Sequence, residues 1–457
     1  MYPRPTPTAL LFLLLCVSAA HARTFRVKDY GAKGDGATLD TRALQSALDA
    51  AANAGGGTVL VPPGTYLTGS IFVKSHTTLS IEAGATLLGS QNLADYPEMP
   101  TRIAGIEMTW PAALVNVYQQ TDANITGPGL IDGNGKIFWD SYWSLRRQYD
   151  AKGLRWAADY DCRRPRLIQI YKSTRVRLSN ITLHRSGFWT VHICFSQGVT
   201  VNRVTIDNNI GGKGPSTDGI DIDSSRHILV EHADITDNDD ALCLKAGRDS
   251  DGLRVNRPTE DVILRDSVVR AGAAGFTIGS ETSGGFRNIE VDHIRVLAPV
   301  PNGILFKSAI TRGGWTDNIH IRDMEMEGVR VPIHITLNWN PQYSYATLPP
   351  GVANVPGYWK VLTTPVPRAQ GLAHFRNVSI SNIRATGAQT AFIVSAYPDA
   401  PLQNFQLSDI HIEAKSAGSI ENAENWTLTH VRIQSPGNAK IQLRDDRAVQ
   451  CRDSDCQ

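Results

Sequence analysis

Short runs of alternating apolar and polar residues recur along the chain in one arrangement. Each unit has two apolar positions one residue apart, a break of two residues, and a second such pair, as in Val176, Leu178, Ile181 and Leu183. Alternation with a period of two indicates strands that bury one face. Eight further units follow this pattern, beginning at Val199, Ile228, Val262, Ile289, Ile319, Val378, Phe405 and Trp426.

The spacing of these units predicts a solenoid. Most successive units begin about 20–35 residues apart, which is the range of solenoid repeats. One unit cannot bury its apolar face alone, whereas stacked units share a continuous core. The sequence therefore predicts an all-β fold, a single-stranded right-handed parallel β-helix, with residues 23–457 forming one domain.

A helical pattern precedes the repeats. Between Asp40 and Ala54 the apolar residues fall on one helix face, and the glycines at 55–57 favour a stop there. We expect this helix to cap the N-terminal end of the core. The residues on its apolar face are Ala43, Leu44, Ala47, Leu48 and Ala51.

Two stretches interrupt the repeat, at about residues 138–166 and 338–369. The first is rich in Trp, Tyr and Arg, and the second in Pro, Tyr and Trp. Long insertions into a compact fold usually carry function, and in solenoids they cluster on the binding face. They are expected to block a substrate groove, or else only to cover an exposed side of the coil. Trp139, Trp143 and Trp156 either stack on a bound substrate or anchor the loop.

The first 22 residues have the pattern of a secretory signal peptide. Arg4 precedes an apolar run at residues 10–17, and Ala20-His21-Ala22 has the small residues of a cleavage site. The run is too short to span a bilayer. We therefore expect cleavage near Ala22 and a secreted or periplasmic protein.

The overall charge gives no sign of a polyanionic partner. The 45 Lys and Arg residues balance 44 Asp and Glu residues, for a net charge of +1. We predict no nucleic-acid partner, no membrane partner, and a monomer. The cysteines lack metal-ligand spacing, so neither a metal nor a cofactor is predicted; Cys451 and Cys456 are close enough in sequence to form a disulfide.

Two acidic segments lie about one repeat apart. One contains Asp218, and the other contains Asp239 and Asp240. Adjacent coils of a β-helix stack about 5 Å apart, so these carboxylates can meet. Both residues of an adjacent pair reach one groove only if the strand bends or bulges there. Crowded carboxylates raise at least one pKa, and glycoside hydrolysis requires one protonated and one ionised carboxyl group.

Several segments resemble glycoside hydrolase family 28, the polygalacturonase and rhamnogalacturonase group. These are FRVKDYGAKGDGATLDTRALQSALDAA near the N-terminus, GPGLIDGNGKIFWD at 127–140, STDGIDID at 216–223 and DNDDALCLKAG at 237–247. The last two resemble the family's Asn-Thr-Asp and Asp-Asp motifs. The resemblance implies an inverting hydrolase of galacturonic-acid-containing pectin, with Asp239 as general acid and Asp218 and Asp240 holding the attacking water.

The chain departs from the family pattern at three positions. Ser216 replaces the Asn of the first motif, Ala273 stands where the family has His, and Leu305 stands where it has Arg in an Arg-Ile-Lys motif. The resemblance implies that the remaining Lys307 binds substrate. Lys245 and Arg248 follow the Asp pair and are further candidates for sugar contacts. Homogalacturonan and rhamnogalacturonan both stay open as substrates.

Two other functions fit the same predicted fold. A pectate lyase would bind Ca²⁺ through the aspartates and use Lys245 or Lys307 as a base. A non-catalytic β-helix would bind carbohydrate without cleaving it. The two insertions favour exo action over endo action, because an exo enzyme needs one end of its groove blocked.

Overall fold

A computed structural model describes residues 23–352 and 354–457. The expected signal peptide lies outside the described residues. The chain winds as a right-handed parallel β-helix, in which 32 strands belong to one continuous parallel sheet. The predicted fold class is confirmed.

Strands in the N-terminal half are mostly short, and there are two or three in each coil. In chain order they are β1 Thr24–Arg26, β2 Asp35–Leu39, β3 Gly57–Val61, β4 Gly64–Thr68, β5 Ile71–Phe72, β6 Thr77–Ile81, β7 Ala85–Gly89, β8 Glu98–Ile103, β9 Ile106–Pro111, β10 Val115–Tyr118, β11 Asn124–Thr126, β12 Leu130–Asp132, β13 Ile168–Tyr171, β14 Thr174–Ser179, β15 Thr182–His184, β16 Val191–Cys194, β17 Gln197–Asn202, β18 Thr205–Asp207, β19 Ile220–Asp223, β20 Arg226–Glu231, β21 Asp234–Thr236 and β22 Asp240–Lys245.

Several strands in the C-terminal half are longer, because neighbouring segments merge through a bend. They are β23 Thr259–Ala271, β24 Ala274–Ile278, β25 Phe286–Leu297, β26 Asn302–Lys307, β27 Thr316–Glu327, β28 Val331–Thr336, β29 Arg376–Ser395, β30 Leu402–Glu421, β31 Ala423–Glu424, β32 Thr427–Gln434, β33 Gln442–Arg444 and β34 Gln450–Arg452. The helices are α1 Thr41–Asn53, α2 Lys136–Asp150, α3 Ala158–Asp161, α4 Asp249–Val255, α5 Pro341–Ser344, α6 Gly357–Leu362 and α7 Arg368–Gly371.

The predicted repeat units stack in register and form the core. The first apolar position of each unit pairs with its counterpart in the next coil, and each of these residues is at most 2 % exposed. A one-residue slip would turn every one of these side chains outward, so the pattern specifies the register. The ladder runs through Val176, Val199, Ile228, Val262, Ile289, Ile319, Val378 and Phe405.

The two-residue break inside each unit is a left-handed bend. Its second residue has φ of 54° at Asn180, 50° at Asp266 and 51° at Asn382. Asn and Asp tolerate this region better than most other side chains. The bend lets the chain turn between two strands while both keep their apolar residues inside.

Helix α1 covers the N-terminal end of the core, as its pattern predicted. It buries Leu44, Ala47, Leu48 and Ala51. Asp40 does not cap the helix through its side chain, which instead accepts hydrogen bonds from the backbone N–H groups of Lys33 and Gly34, at 2.7 and 2.9 Å.

Both predicted insertions leave the coil on one side, and a third accompanies them. The third is the antiparallel hairpin β8–β9, which the sequence pattern did not reveal. The three insertions share an apolar cluster outside the β-helix. Within it, the rings of Trp156 and Trp359 are 4.9 Å apart, and Asp161 accepts hydrogen bonds from Tyr358 and Trp359. The insertions therefore pack against one another as well as against the coil.

The disulfide near the C-terminus is the one that the sequence predicted. Cys451 and Cys456 form a disulfide, whereas Cys162, Cys194 and Cys243 are buried free thiols. In the part of the chain that the structure describes, no helix has the length and apolar character that a membrane crossing requires.

The stacked core makes a direct prediction about stability. Leu264 on β23 is 1 % exposed and pairs with core residues on both sides, whereas its neighbour Ile263 is 37 % exposed. We expect Leu264→Ala to lower the free energy of unfolding by about 2–5 kcal/mol, through lost burial and a cavity. Ile263→Ala is the matched control and should cost less than about 1 kcal/mol. Urea unfolding followed by circular dichroism measures both; equal losses would contradict the assigned register.

Candidate active site

One ladder of strands forms the floor of a pocket. Strands β16, β19, β22, β24, β26 and β28 stack in register, with alternate residues inside the core. The intervening residues therefore face outward. One outward row places Asp221, Cys243, Thr277, Leu305 and His334 side by side.

The pocket above this floor has a volume of about 130 Å³. Both predicted insertions supply its walls, and the β8–β9 hairpin contributes Ala104. The pocket is lined by Ala104, Arg155, Asp159, Phe188, Trp189, Ser216, Asp218, Asp239, Asp240, Lys245, Ser280, Glu281, Lys307, Trp339, Asn340 and Tyr343.

The three predicted aspartates meet at the base of this pocket. Asp218 lies one coil before Asp240, and the N–H of Gly219 donates to the carbonyl oxygen of Asp240 at 2.9 Å. Strand β22 begins at Asp240, and its pairing with β24 is regular. Asp239 therefore lies in a bend before the strand, so the predicted bend, and not a bulge, lets both neighbouring carboxylates face the pocket.

Asp240 is held by one cation and one hydroxyl group. The Nζ of Lys307 lies 2.7 Å from Oδ2, and the hydroxyl of Thr277 donates to Oδ1 at 3.1 Å. Burial alone would lower the pKa of Lys307, but the charges of Asp240 and Asp239 raise it above its ordinary value. Lys307 is therefore a protonated partner of Asp240.

Asp239 has the properties of a proton donor. Burial, and then the neighbouring charge of Asp240, raise its pKa to about 6, while Lys307 and Lys245 act in the opposite direction. Burial also raises the pKa of Asp218 well above its ordinary value, and Asp221 and Asp239 add to this effect. A carboxyl group with such a pKa keeps its proton in mildly acidic solution.

Lys245 lies among carboxylates and is 3 % exposed. Its Nζ is 3.4 Å from oxygens of Asp218, Asp221 and Glu281. Burial would lower its pKa, but the surrounding carboxylates raise it well above the usual value. One ammonium group is therefore shared by three acids.

The pattern of glycosyl hydrolases family 28 matches residues 57–355. This chain belongs to that family and is a glycoside hydrolase. It is 28 % identical over 431 residues to a probable polygalacturonase of Vitis vinifera, across 92 % of this chain and 79 % of the relative. It is 30 % identical over 315 residues to an endo-polygalacturonase of Pectobacterium carotovorum subsp. carotovorum, across 66 % of this chain and 73 % of the relative.

A solved structure supports the same assignment. The crystal structure of a hyperthermoactive exopolygalacturonase from Thermotoga maritima superposes with a TM-score of 0.74 at 27 % identity. The match covers 86 % of this chain and 87 % of the other. The shared fold thus extends over most of this chain.

Arg248 was a candidate for sugar contacts because it follows the Asp pair closely in sequence. The structure does not place it in the pocket. It is 0 % exposed and does not line the pocket of this family 28 enzyme. Its guanidinium donates to Asp249, to the hydroxyl of Tyr160 and to the carbonyl oxygen of Tyr343. Its hydrogen bonds thus join the two insertions, and none is directed towards the pocket.

The tryptophans of the first insertion anchor the loop. The indole N–H of Trp139 donates to the carbonyl oxygen of Ser186 at 2.7 Å, and that of Trp143 donates to Lys213 at 3.1 Å. Trp156 is buried against Trp359. The aromatic walls of the pocket come from other positions, chiefly Trp189 and Trp339.

Several pocket residues were not recognised from the sequence. Arg155, Asp159, Glu281 and Tyr343 have no motif around them, and they converge only because insertions fold back over the coil. The hydroxyl of Tyr343 donates to Glu281 at 2.8 Å, across 62 residues of sequence. The sequence feature that could have indicated such pocket residues is the high content of Arg, Tyr and Trp in the insertions.

The charge of Lys307 should set the alkaline limit of activity. A general acid must be protonated, so activity should fall as pH rises through about 6, the pKa of Asp239. Lys307→Met removes a positive charge that lowers this pKa, so the alkaline limb should move up by about one pH unit, with a lower kcat. Profiles of kcat against pH measure the shift. The exposed control Lys213→Met should leave the limb unchanged, and an unmoved limb in Lys307→Met would contradict this arrangement.

Proposed function

We propose that this protein is an inverting, exo-acting hydrolase of galacturonic-acid-containing pectin. Asp239 donates a proton to the leaving oxygen, and Asp218 and Asp240 hold the water that attacks the anomeric carbon. The convergence of these three carboxylates at the base of one walled pocket carries the proposal. The pattern of residues 1–22 supports secretion or export to the periplasm.

The environments of Asp239 and Asp240 differ in the way acid–base hydrolysis requires. Asp240 accepts hydrogen bonds from the Nζ of Lys307 and from the hydroxyl of Thr277. Asp239 has a pKa raised to about 6 by burial and by the charge of Asp240. A buried carboxyl group with a raised pKa, beside a carboxylate bound by an ammonium group, is suited to act as the acid. This supports the assignment of the proton to Asp239.

The packing of the insertions supports exo action. Arg155 of the first insertion lies over the ring of Tyr343 of the second, 5.0 Å from its centroid. The apolar cluster that the three insertions share lies outside the coil and adjoins the pocket through Phe188 and Trp189. Walls that contact one another close one side of a groove. A chain end then fits the pocket better than a continuous polymer does.

The protonation of the two pocket lysines argues against the pectate lyase alternative. A lyase requires an unprotonated base, but the pKa values of Lys245 and Lys307 are both raised by neighbouring carboxylates. Lys307 is ion-paired with Asp240 at 2.7 Å, and Lys245 lies among three acids. Both amines therefore hold their protons at neutral pH and are unsuited to abstract one from substrate.

Replacing the proposed acid should abolish turnover without unfolding the protein. Asp239→Asn keeps the shape of the side chain and removes its proton, so kcat should fall by about 10²–10⁴-fold. The thermal midpoint should change little. The control Asp234→Asn alters an exposed residue of the same coil, which pairs with Arg270, and should retain wild-type kcat. More than about a tenth of wild-type kcat in Asp239→Asn would contradict its role as the acid.

The products distinguish exo from endo action. We expect single sugars to be released from oligogalacturonate from the outset, with little early loss of polymer viscosity, because only a chain end enters the pocket. Chromatography of early products and viscometry, on homogalacturonan and on rhamnogalacturonan fragments, measure this. Mid-sized oligomers with a rapid viscosity drop would show endo action instead.

The same reaction followed by proton NMR tests inversion. The first product should carry the inverted anomeric configuration, because water attacks directly from the face opposite the leaving group. Initial retention would mean that one aspartate acts as a covalent nucleophile. New reducing ends without unsaturated products, and without loss of activity in a chelator, would further separate hydrolysis from calcium-dependent elimination.

A further inference from the structure

A pocket for galacturonic acid requires a cation for the sugar carboxylate, and the usual family position cannot supply one. Leu305 occupies the position that the family motif gives to arginine, and it is 0 % exposed. We propose that Arg155, on the first insertion, binds the carboxylate of the sugar in the pocket and sets the preference for an acidic sugar. This inference rests on the proposed function and adds a specificity-determining residue to it.

Arg155 differs from the other two cations that line the pocket in how far the protein neutralises its charge. Lys245 is surrounded by three carboxylates at 3.4 Å. Lys307 is paired with Asp240 at 2.7 Å. The charge of each lysine is therefore already neutralised by the protein, and a substrate carboxylate would have to compete with buried aspartates for it.

Arg155 retains surplus positive charge. It shares the carboxylate of Asp159 with the fully buried Arg164, at 2.8 and 2.7 Å. Two guanidinium groups against one carboxylate leave a net charge of +1 at this wall. Arg155 is the member of the pair that lines the pocket, with 13 % of its side chain exposed. A charge with little access to water attracts an anion more strongly than a solvated one.

The guanidinium of Arg155 has unused donors. Its Nη1 donates to Asp159, its Nε is buried, and its Nη2 makes no hydrogen bond to a described residue and is not buried. The planar group can offer two parallel N–H donors to a carboxylate, a geometry that a lysine cannot reproduce.

The position of Arg155 is tied to the catalytic acids. Asp159, which holds Arg155, also accepts a hydrogen bond from the hydroxyl of Ser216 at 2.9 Å. Ser216 is two residues before Asp218 and stands where the family motif has Asn. On the other side, Tyr343 supports the guanidinium with its ring and donates to Glu281. The cation is thus oriented by both sides of the pocket before substrate arrives.

The test compares an acidic substrate with its neutral counterpart. Trigalacturonate and its fully methyl-esterified form are assayed with the wild type and with Arg155→Gln. We expect Arg155→Gln to lower kcat/KM on the free acid by about 10- to 100-fold, mainly through KM, because a charge-assisted hydrogen bond to substrate is lost. The rate on the ester should change less than about threefold, and Arg155→Lys should fall between the wild type and Arg155→Gln on the acid.

The matched control is Arg146→Gln. Arg146 lies on the same insertion and also pairs with an aspartate four residues later, Asp150 at 2.6 Å, but it does not line the pocket. It should leave both rates unchanged. If Arg155→Gln lowers both rates equally, or preserves the preference for the acid, Arg155 does not bind the carboxylate and the inference is overturned.

A binding measurement keeps this test independent of hydrolysis. Calorimetry compares D-galacturonate with D-galactose, which differ in the group at C6. A wild-type preference for galacturonate that disappears in Arg155→Gln supports the inference. Equal binding of the two sugars by the wild type overturns it. Failure of the wild type to cleave either trisaccharide would instead refute the proposed function.

Discussion

The active site depends on a shortage of positive charge among buried acids. Asp218, Asp221 and Glu281 share the single ammonium of Lys245, and Asp239 lies beside Asp240, whose partner is Lys307. These two ammonium groups are too few to ionise all five carboxylates, so some of the acids keep protons. Burial raises the pKa of Asp221 to about 8 and that of Asp239 to about 6. Burial together with this imbalance lets Asp239 keep a proton in mildly acidic solution, as the proposed acid requires.

The regular coil makes the imbalance possible. Stacking in register places one outward residue of each coil beside the same position of the next. Asp223 lies in register with Lys245, yet it pairs with Arg102 of the β8–β9 hairpin at 2.8 Å. This pairing lowers the pKa of Asp223 to about 2, against the effect of its burial. Asp221 and Asp223 lie on the same strand, yet at neutral pH Asp221 keeps its proton and Asp223 is ionised. The difference arises because different elements pack over the two side chains.

Much of the fold follows from local patterns that the sequence displays. Repeated units of alternating residues predict stacked strands, and helical spacing predicts α1, because both reflect which side chains a chain of given geometry can bury. The three aspartates were predicted from motifs that resemble those of family 28 and from their spacing of about one coil, and the register places Asp218 beside Asp240. The β8–β9 hairpin was not predicted. Its two strands pair with each other and pack against a separate apolar cluster, so their residues do not follow the repeat of the coil.

The sequence by itself determined the β-helix, its capping helix, the family and the identity of the central carboxylates, because each depends on residues close in sequence or on a repeated register. Tertiary structure decided which charges those carboxylates meet. Arg248 lies away from the pocket although it follows the Asp pair closely, whereas Arg155 and Tyr343 come from distant insertions and line it. Such contacts depend on how irregular loops pack over the coil, and no periodicity in the sequence records that packing.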